Sequence, residues 1–91
     1  MKIAGHAVAG TLESSDALVT LEPSDEIEIH IESTVIDLFE DEIRRCVCDT
    51  LSALGVSGAK VYVQDRGAFD CTLSARVETA VLRAKGQEGA L

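Results

Sequence analysis

The segment from Glu26 to Glu32 alternates polar residues with isoleucine at every second position. Successive side chains of a β-strand point to opposite faces, so this period of two is typical of a strand with one wet face and one buried face. Such a strand has to join a sheet, and its isoleucine face has to be covered. The sequence therefore predicts a domain built around a sheet, and it argues against a helical bundle.

Two shorter apolar runs precede this strand. The first ends in Gly10-Thr11-Leu12, the second covers residues 17–21, and the polar residues 13–16 between them predict a turn. The second run is joined to the alternating strand by residues 22–25, where a proline and an aspartate favour a type I turn. We expect the second run and the alternating strand to pair as an antiparallel hairpin.

A long amphipathic helix is predicted after the alternating strand, because the apolar period changes to about 3.6 near Ser33 and Thr34. Thr34 is followed three residues later by Asp37, which favours a helix start, and Gly55 stands where a left-handed cap would end the helix. The apolar stripe consists of Val35, Ile36, Phe39, Ile43, Cys46, Val47, Thr50, Leu51 and Leu54.

The remainder of the chain predicts a second hairpin and a second helix. Residues 59–64 and 69–73 flank a turn that contains Gly67, and Val61 and Val63 are expected to face away from Tyr62. The second helix is expected from about residue 74 and is stopped by Gly86, which leaves residues 86–91 as a flexible tail.

These elements predict an α+β fold within one domain that spans residues 1–91. It consists of a mainly antiparallel sheet built from two hairpin systems, with two helices packed on one face. Three cysteines without Cys-x-x-Cys spacing indicate reduced thiols in the cytoplasm and no metal site.

Charge and composition exclude several kinds of partner. The net charge is −8, the acidic excess lies in the first 43 residues, and aromatic residues make up 3% of the chain. Nucleic acids and anionic membranes would be repelled, and stacking on bases is disfavoured. No apolar run is long enough to cross a bilayer.

The turn at residues 13–16 places Ser14 and Ser15 where a hydroxyl would meet another molecule. A catalytic serine needs a base, and the chain contains His6 and His30. His30 takes an outward position of its strand, whereas His6 could approach Ser14 across a hairpin. A small serine hydrolase is thus one alternative, although no oxyanion motif accompanies it.

The neighbours of the two serines have less specific interpretations. Glu13 and Asp16 are expected as solvated turn carboxylates, with docking of a basic partner as the alternative. Gly10 is expected to permit a close backbone approach or a bulge. Arg44 and Arg45 are expected on a helix surface, where they could also contact a partner.

Two segments resemble the acyl carrier (gamma) subunits of citrate lyase. Residues 7–14 read A-V-A-G-T-L-E-S, and residues 65–78 contain a D-x-G-A-x-D-C core followed by A-R-x-E and an alanine-rich helix. The likeness extends over roughly nine-tenths of the chain.

The resemblance implies a non-catalytic carrier whose Ser14 holds a covalent phosphoribosyl dephospho-coenzyme A group, with Ser15 as an alternative that spacing alone does not exclude. The group carries acetyl and citryl thioesters while citrate is cleaved to oxaloacetate and acetate. The implied partners are an alpha subunit that transfers the acyl group, a beta lyase subunit and a prosthetic-group transferase. Carriers of citramalate lyase or malonate decarboxylase are related alternatives, and an unmodified structural subunit is a further one.

Overall fold

A computed structural model describes residues 1–33 and 39–89 of the chain as a four-stranded sheet with two helices. The elements are β1 (Ala7–Gly10), β2 (Ala17–Glu22), β3 (Ile27–Ser33), α1 (Glu40–Ala53), β4 (Ala59–Asp65) and α2 (Asp70–Gly89). The predicted α+β class is confirmed. No helix in the described part of the chain is both long and apolar enough to cross a membrane.

The sheet is mixed, with the strand order β1-β2-β4-β3. The pairs β1–β2 and β2–β4 are antiparallel, but β3 and β4 are parallel. The predicted hairpin of β2 and β3 is therefore wrong, because β4 lies between them. A parallel pair needs a crossover connection, and α1 is part of the segment that links β3 to β4.

The connection from β2 to β3 passes over the beginning of β4. Ala59 donates its N–H to the Glu26 carbonyl at 3.0 Å. A Cβ at the buried Gly58 would lie 2.5 Å from the carbonyl oxygen of Ser24, so the absence of a side chain there lets the connection cross.

The predicted second hairpin is also wrong, because the residues expected as its second strand begin α2. Side chains at helical spacing along α2 enter the core: Leu73, Val77, Ala80, Val81 and Ala84. The helical spacing begins at Leu73, inside the short run 69–73. The length and composition of that run did not distinguish a strand from the first turn of a helix. The helix continues to Gly89, past its predicted end at Gly86.

The end of α1 agrees with the sequence, whereas its predicted start at Thr34 and Asp37 lies outside the described residues. Gly55 has a φ of 74°. The Val56 N–H bonds to the Leu51 carbonyl and the Gly55 N–H bonds to the Ser52 carbonyl. This is the hydrogen-bond pattern of a Schellman cap, for which a glycine is the favoured residue.

The core lies between the sheet and the helices, which share one face as predicted. Val61 and Val63 of β4 are buried against this layer, while Tyr62 is exposed on the other face. The predicted phase of this strand is confirmed. The buried face of the sheet includes Ala7, Ala9, Ala17, Val19, Leu21 and Ala59, and α1 contributes Ile43, Val47 and Leu51.

Candidate functional site

The predicted pair of serines lies at the tip of the β1–β2 hairpin. The Asp16 N–H donates to the Glu13 carbonyl at 3.2 Å, which closes a four-residue turn with Ser14 and Ser15 at its centre. Ser15 has a φ of 65°, a positive value of the kind that a type II turn requires at its third position. Both serines are exposed, so the turn presents two hydroxyls to solvent.

The backbone distinguishes the two serines. The Ser15 N–H donates to the Arg66 carbonyl at 2.8 Å, and the Arg66 N–H donates to the Asp16 carbonyl at 2.9 Å. These two bonds fix the second half of the turn to the loop between β4 and α2. Ser14 stands before this bridge, at the first central position of the turn.

The Asp16 carboxylate is the structural centre of the hairpin tip. Its Oδ1 accepts hydrogen bonds from Arg76 Nε at 2.9 Å and from the Ala17 N–H at 2.7 Å. Its Oδ2 accepts from Arg76 Nη2 at 2.8 Å and from Thr11 Oγ1 at 2.7 Å. The Arg76 hydrogen bonds, with help from Thr11 and Ala17, hold the pKa of Asp16 well below its usual range. The carboxylate is thus an anchor for the turn.

Asp16 corrects the sequence-based expectation of a solvated turn carboxylate. It is 8% exposed and paired with Arg76 of α2, whereas Glu13 is exposed as expected. A carboxylate can be buried at low cost only when its oxygens are paired and hydrogen-bonded, and the four donors around Asp16 meet this requirement. Sequence reasoning missed Arg76 because it lies 60 residues from Asp16. The A-R-x-E segment contains this arginine and was the available signal.

Gly10 brings the base of the hairpin close to α2. Its φ is 98°, and a Cβ at this position would lie 1.8 Å from the Ala17 carbonyl oxygen and 3.1 Å from Cδ of Arg76. The predicted close backbone approach is confirmed. Any side chain here would push the strands and the arginine apart.

Neither histidine is positioned to activate Ser14. His6 precedes β1 and Ser14 follows it, so a strand of four residues, about 13 Å long, separates them. His30 lies on β3, where it is exposed as predicted and stacks on Tyr62 with ring centroids 5.0 Å apart. The turn therefore presents the Ser14 hydroxyl to solvent, with β1 between it and His6.

The other residues singled out from the sequence are Arg44 and the three cysteines. Arg44 donates to the Ile29 carbonyl at 3.0 Å and to Glu40 at 3.3 Å. Cys46, Cys48 and Cys71 are free thiols, and burial raises the pKa of Cys46. Within residues 1–33 and 39–86, no three side chains of the kinds that bind metals come together.

Comparison with known proteins agrees with a carrier role. A family model described as an acyl carrier protein, the malonate decarboxylase delta subunit (MdcD), matches residues 4–84. A citrate lyase acyl carrier protein of Albidiferax ferrireducens is 52% identical over 88 residues, covering 94% of this chain and 90% of the relative. The corresponding protein of Haemophilus influenzae strain PittEE is 50% identical and covers 92% and 88%. The chain belongs to the citrate lyase acyl carrier protein family.

A more distant member of that family and one solved structure extend the comparison. The citrate lyase acyl carrier protein of Treponema denticola is 44% identical over 92% of this chain and 97% of its own. A chain of a Pseudomonas malonate decarboxylase hetero-tetramer superposes with a TM-score of 0.79 at 19% identity, covering 92% of this chain and 88% of that one. The second likeness shows a shared fold. Membership of the citrate lyase carrier family confirms the predicted non-catalytic subunit in preference to a serine hydrolase.

Proposed function

We propose that this protein is the acyl carrier subunit of a citrate lyase, and that the Ser14 hydroxyl is the attachment point of a phosphoribosyl dephospho-coenzyme A group. The observation that carries the proposal is the exposed Ser14 at the apex of a turn anchored by the Asp16–Arg76 pair, in a chain of the citrate lyase carrier family. The residues present suit this group, because formation of a phosphodiester by a separate transferase requires an accessible hydroxyl on the carrier and no base.

The turn geometry favours Ser14 over Ser15. Ser15 has the positive φ and its N–H is bonded to Arg66, so its backbone is held on the side of the turn that contacts the β4–α2 loop. Ser14 precedes that contact, so we expect a transferase to reach its hydroxyl without disturbing the bonds to Arg66. Its place at the end of A-V-A-G-T-L-E-S agrees with this assignment.

The proposed contribution of this chain is delivery. The attached group supplies a terminal thiol that carries acetyl and citryl units as thioesters during cleavage of citrate to oxaloacetate and acetate. Attachment keeps the acyl unit at a high effective concentration for an alpha acyl-transferase subunit and a beta lyase subunit. The anchored turn gives the arm a fixed origin, because Asp16, Thr11 and Arg76 hold the hairpin tip against α2. The reduced cysteines suit the proposed cytoplasmic location.

The site assignment is tested by intact-mass analysis after coexpression with the enzymes that make and transfer the prosthetic group. We expect one large covalent adduct on the wild-type protein, no adduct on Ser14→Ala, and an unchanged adduct on the matched control Ser15→Ala. An adduct that persists on Ser14→Ala, or disappears from Ser15→Ala alone, would show that the assignment is wrong.

A malonate decarboxylase carrier is the second candidate, since the description of the family model names that enzyme. The 44–52% identities to citrate lyase carriers favour the first candidate, whereas the malonate decarboxylase chain shares the fold at 19% identity. The acetylated holo-carrier can be combined with alpha and beta subunits of a citrate lyase. We expect oxaloacetate release from citrate. Activity restored instead with malonate decarboxylase subunits would support the second candidate, and a citramalate lyase can be tested in the same assay.

A further inference from the structure

Both phenylalanines of the chain lie at the surface instead of in the core. Phe39 is 47% exposed and Phe69 is 74% exposed, whereas the buried core consists of isoleucine, leucine, valine and alanine. Removing such large apolar side chains from water is favourable. Two exposed phenylalanines near each other therefore need a reason other than the stability of the isolated fold.

The two phenylalanines are not explained by a role in starting the helices. Phe39 is the N-cap residue of α1 and makes no capping hydrogen bond through its side chain. Phe69 immediately precedes α2, and its carbonyl accepts the Leu73 N–H at 2.9 Å, so it holds the equivalent position. Serine, threonine, aspartate and asparagine stabilise this position because their side chains bond to free helix N–H groups. The phenylalanines thus replace residues that would stabilise the helix starts.

Both phenylalanines line one surface groove of about 720 Å³. Ile43 and Ala68 give it an apolar lining, and Glu42 and Asp70 add negative charge. Among the described residues that line the groove there is no lysine or arginine. Glu40 and Asp41 also lie in the first turn of α1, so this end of the molecule is acidic as well as apolar.

The groove lies at the same end of the sheet as Ser14. Gly67 and Ala68 line it, and Arg66, which comes directly before them, exchanges backbone hydrogen bonds with Ser15 and Asp16. Ala17, at the start of β2, is paired with Asp65, at the end of β4. A protein that covered the groove would consequently lie beside the attachment serine.

We propose that Phe69, together with Phe39 and the acidic residues Glu42 and Asp70, forms the docking surface for a catalytic subunit of the lyase complex. The partner presents an apolar pocket for the Phe69 ring, and lysine or arginine side chains border that pocket. Burial of an aromatic anchor provides affinity, and the opposite charges orient the encounter. The identity of the partner rests on the proposed carrier function. Docking here brings an active site within reach of the arm on Ser14.

The test measures calorimetric affinity between the apo-carrier and the separate alpha and beta subunits. Phe69→Ser should keep or raise the melting temperature, because serine can cap α2, while affinity for at least one subunit falls roughly tenfold or more. Leu82→Ser is the matched control, since Leu82 is 56% exposed on α2 but lies outside the groove. We expect it to bind as the wild type does.

The acidic residues are tested by charge reversal. Glu42→Lys should weaken binding to the same subunit, and the wild-type affinity should fall as salt rises. Glu78→Lys is the control, because it makes the same charge change at an exposed position of α2 that does not line the groove.

Three results would overturn the docking proposal. The first is an unchanged affinity of Phe69→Ser for both subunits. The second is a loss of affinity in Phe69→Ser that occurs with the holo-carrier but not with the apo-carrier, which would assign the groove to the attached arm. The third is self-association of the wild type that disappears in Phe69→Ser, which would assign the surface to a second copy of this chain. The apo-carrier needs no adduct for this test. A normal Ser14 adduct with unchanged affinity therefore contradicts the docking surface alone, whereas an absent adduct contradicts the proposed function.

Discussion

Two turns of this protein contain the dipeptide Ser-Asp, and their surroundings differ. At the β1–β2 turn, the side chain of Asp16 is 12% exposed and accepts two hydrogen bonds from Arg76. At the β2–β3 connection, the side chain of Asp25 is 92% exposed, and its ion-pair partner is Lys2 at 3.5 Å. The same dipeptide therefore lies in an anchored turn at Asp16 and in a solvated turn at Asp25.

The difference comes from the position of α2. The two turns lie at opposite ends of β2, and α2 packs against β1 and β2 so that Arg76 reaches the end that contains Ser14. A carboxylate that is removed from water and bound by a bidentate arginine is strongly coupled to its partner, whereas an exposed pair contributes little. Tertiary packing, and not the local sequence, therefore holds the serine turn in place.

The largest effect is expected from removal of the arginine. Arg76→Ala leaves the Asp16 carboxylate buried without its main partner, and we expect the free energy of unfolding to fall by roughly 2–3 kcal/mol. The equivalent change at the solvated turn, Lys2→Ala, should cost less than about 1 kcal/mol. Urea denaturation at neutral pH measures both. Equal losses in the two variants would remove the distinction between the turns.

An effect of pH sharpens the same comparison. Because the folded protein lowers the pKa of Asp16 below its unfolded value near 4, the ionised carboxylate stabilises the fold above that value. The contribution is lost as pH falls from about 5 toward the lowered pKa. We expect the stability advantage of the wild type over Asp16→Asn to be larger at pH 7 than at pH 3, as measured by urea titration.

The matched pH control is Asp25→Asn at the solvated turn. Its difference from the wild type should be small at both pH values, because Asp25 is exposed and its ion pair with Lys2 is long, at 3.5 Å. An advantage over Asp16→Asn that stays constant from pH 7 to pH 3 would contradict the role given to the Asp16 charge.

The smallest effect is expected from loss of one side-chain hydroxyl at each turn. Thr11→Val keeps the side-chain shape but removes the hydroxyl that donates to Asp16 and accepts the Glu13 N–H, so the free energy of unfolding should fall by roughly 1–2 kcal/mol. Ser24→Ala removes a hydroxyl that accepts the Glu26 N–H at 3.3 Å in the open connection, and a smaller loss is expected. The melting temperatures of the two variants, measured by thermal unfolding, rank the two losses. A greater loss in Ser24→Ala would reverse the comparison.

The sequence predicted the faces of the strands better than their partners. Alternation at Val61, Tyr62 and Val63 determines which side chains enter the core, and the structure confirms that phase. The same alternation in β3 contains no information about its neighbour. The short connection after β2 suggested a hairpin, but β3 instead pairs with β4 in parallel. Strand order depends on which pairings bury the most apolar surface in the whole chain, and this cannot be derived from local periodicity.

The candidate site was predicted in part for a similar reason. Ser14 and Ser15 were placed correctly in a surface turn, because turn-forming residues act over a few positions. The role of Asp16 depends on an arginine 60 residues away, so local reasoning assigned it to solvent. Phe69 was assigned to a strand, and its exposure beside the serine turn became apparent when the fold brought the β4–α2 loop against Ser15.

Locating the modification tests the proposal that the anchored hairpin tip presents Ser14 as the attachment point. Holo-protein purified after coexpression with its transferase can be digested and fragmented in a mass spectrometer to identify the modified residue. We predict that the group is found on Ser14 in the wild type, and that no other serine takes it in Ser14→Ala. A group located on Ser15, or on Ser24 of the solvated turn, would contradict the account.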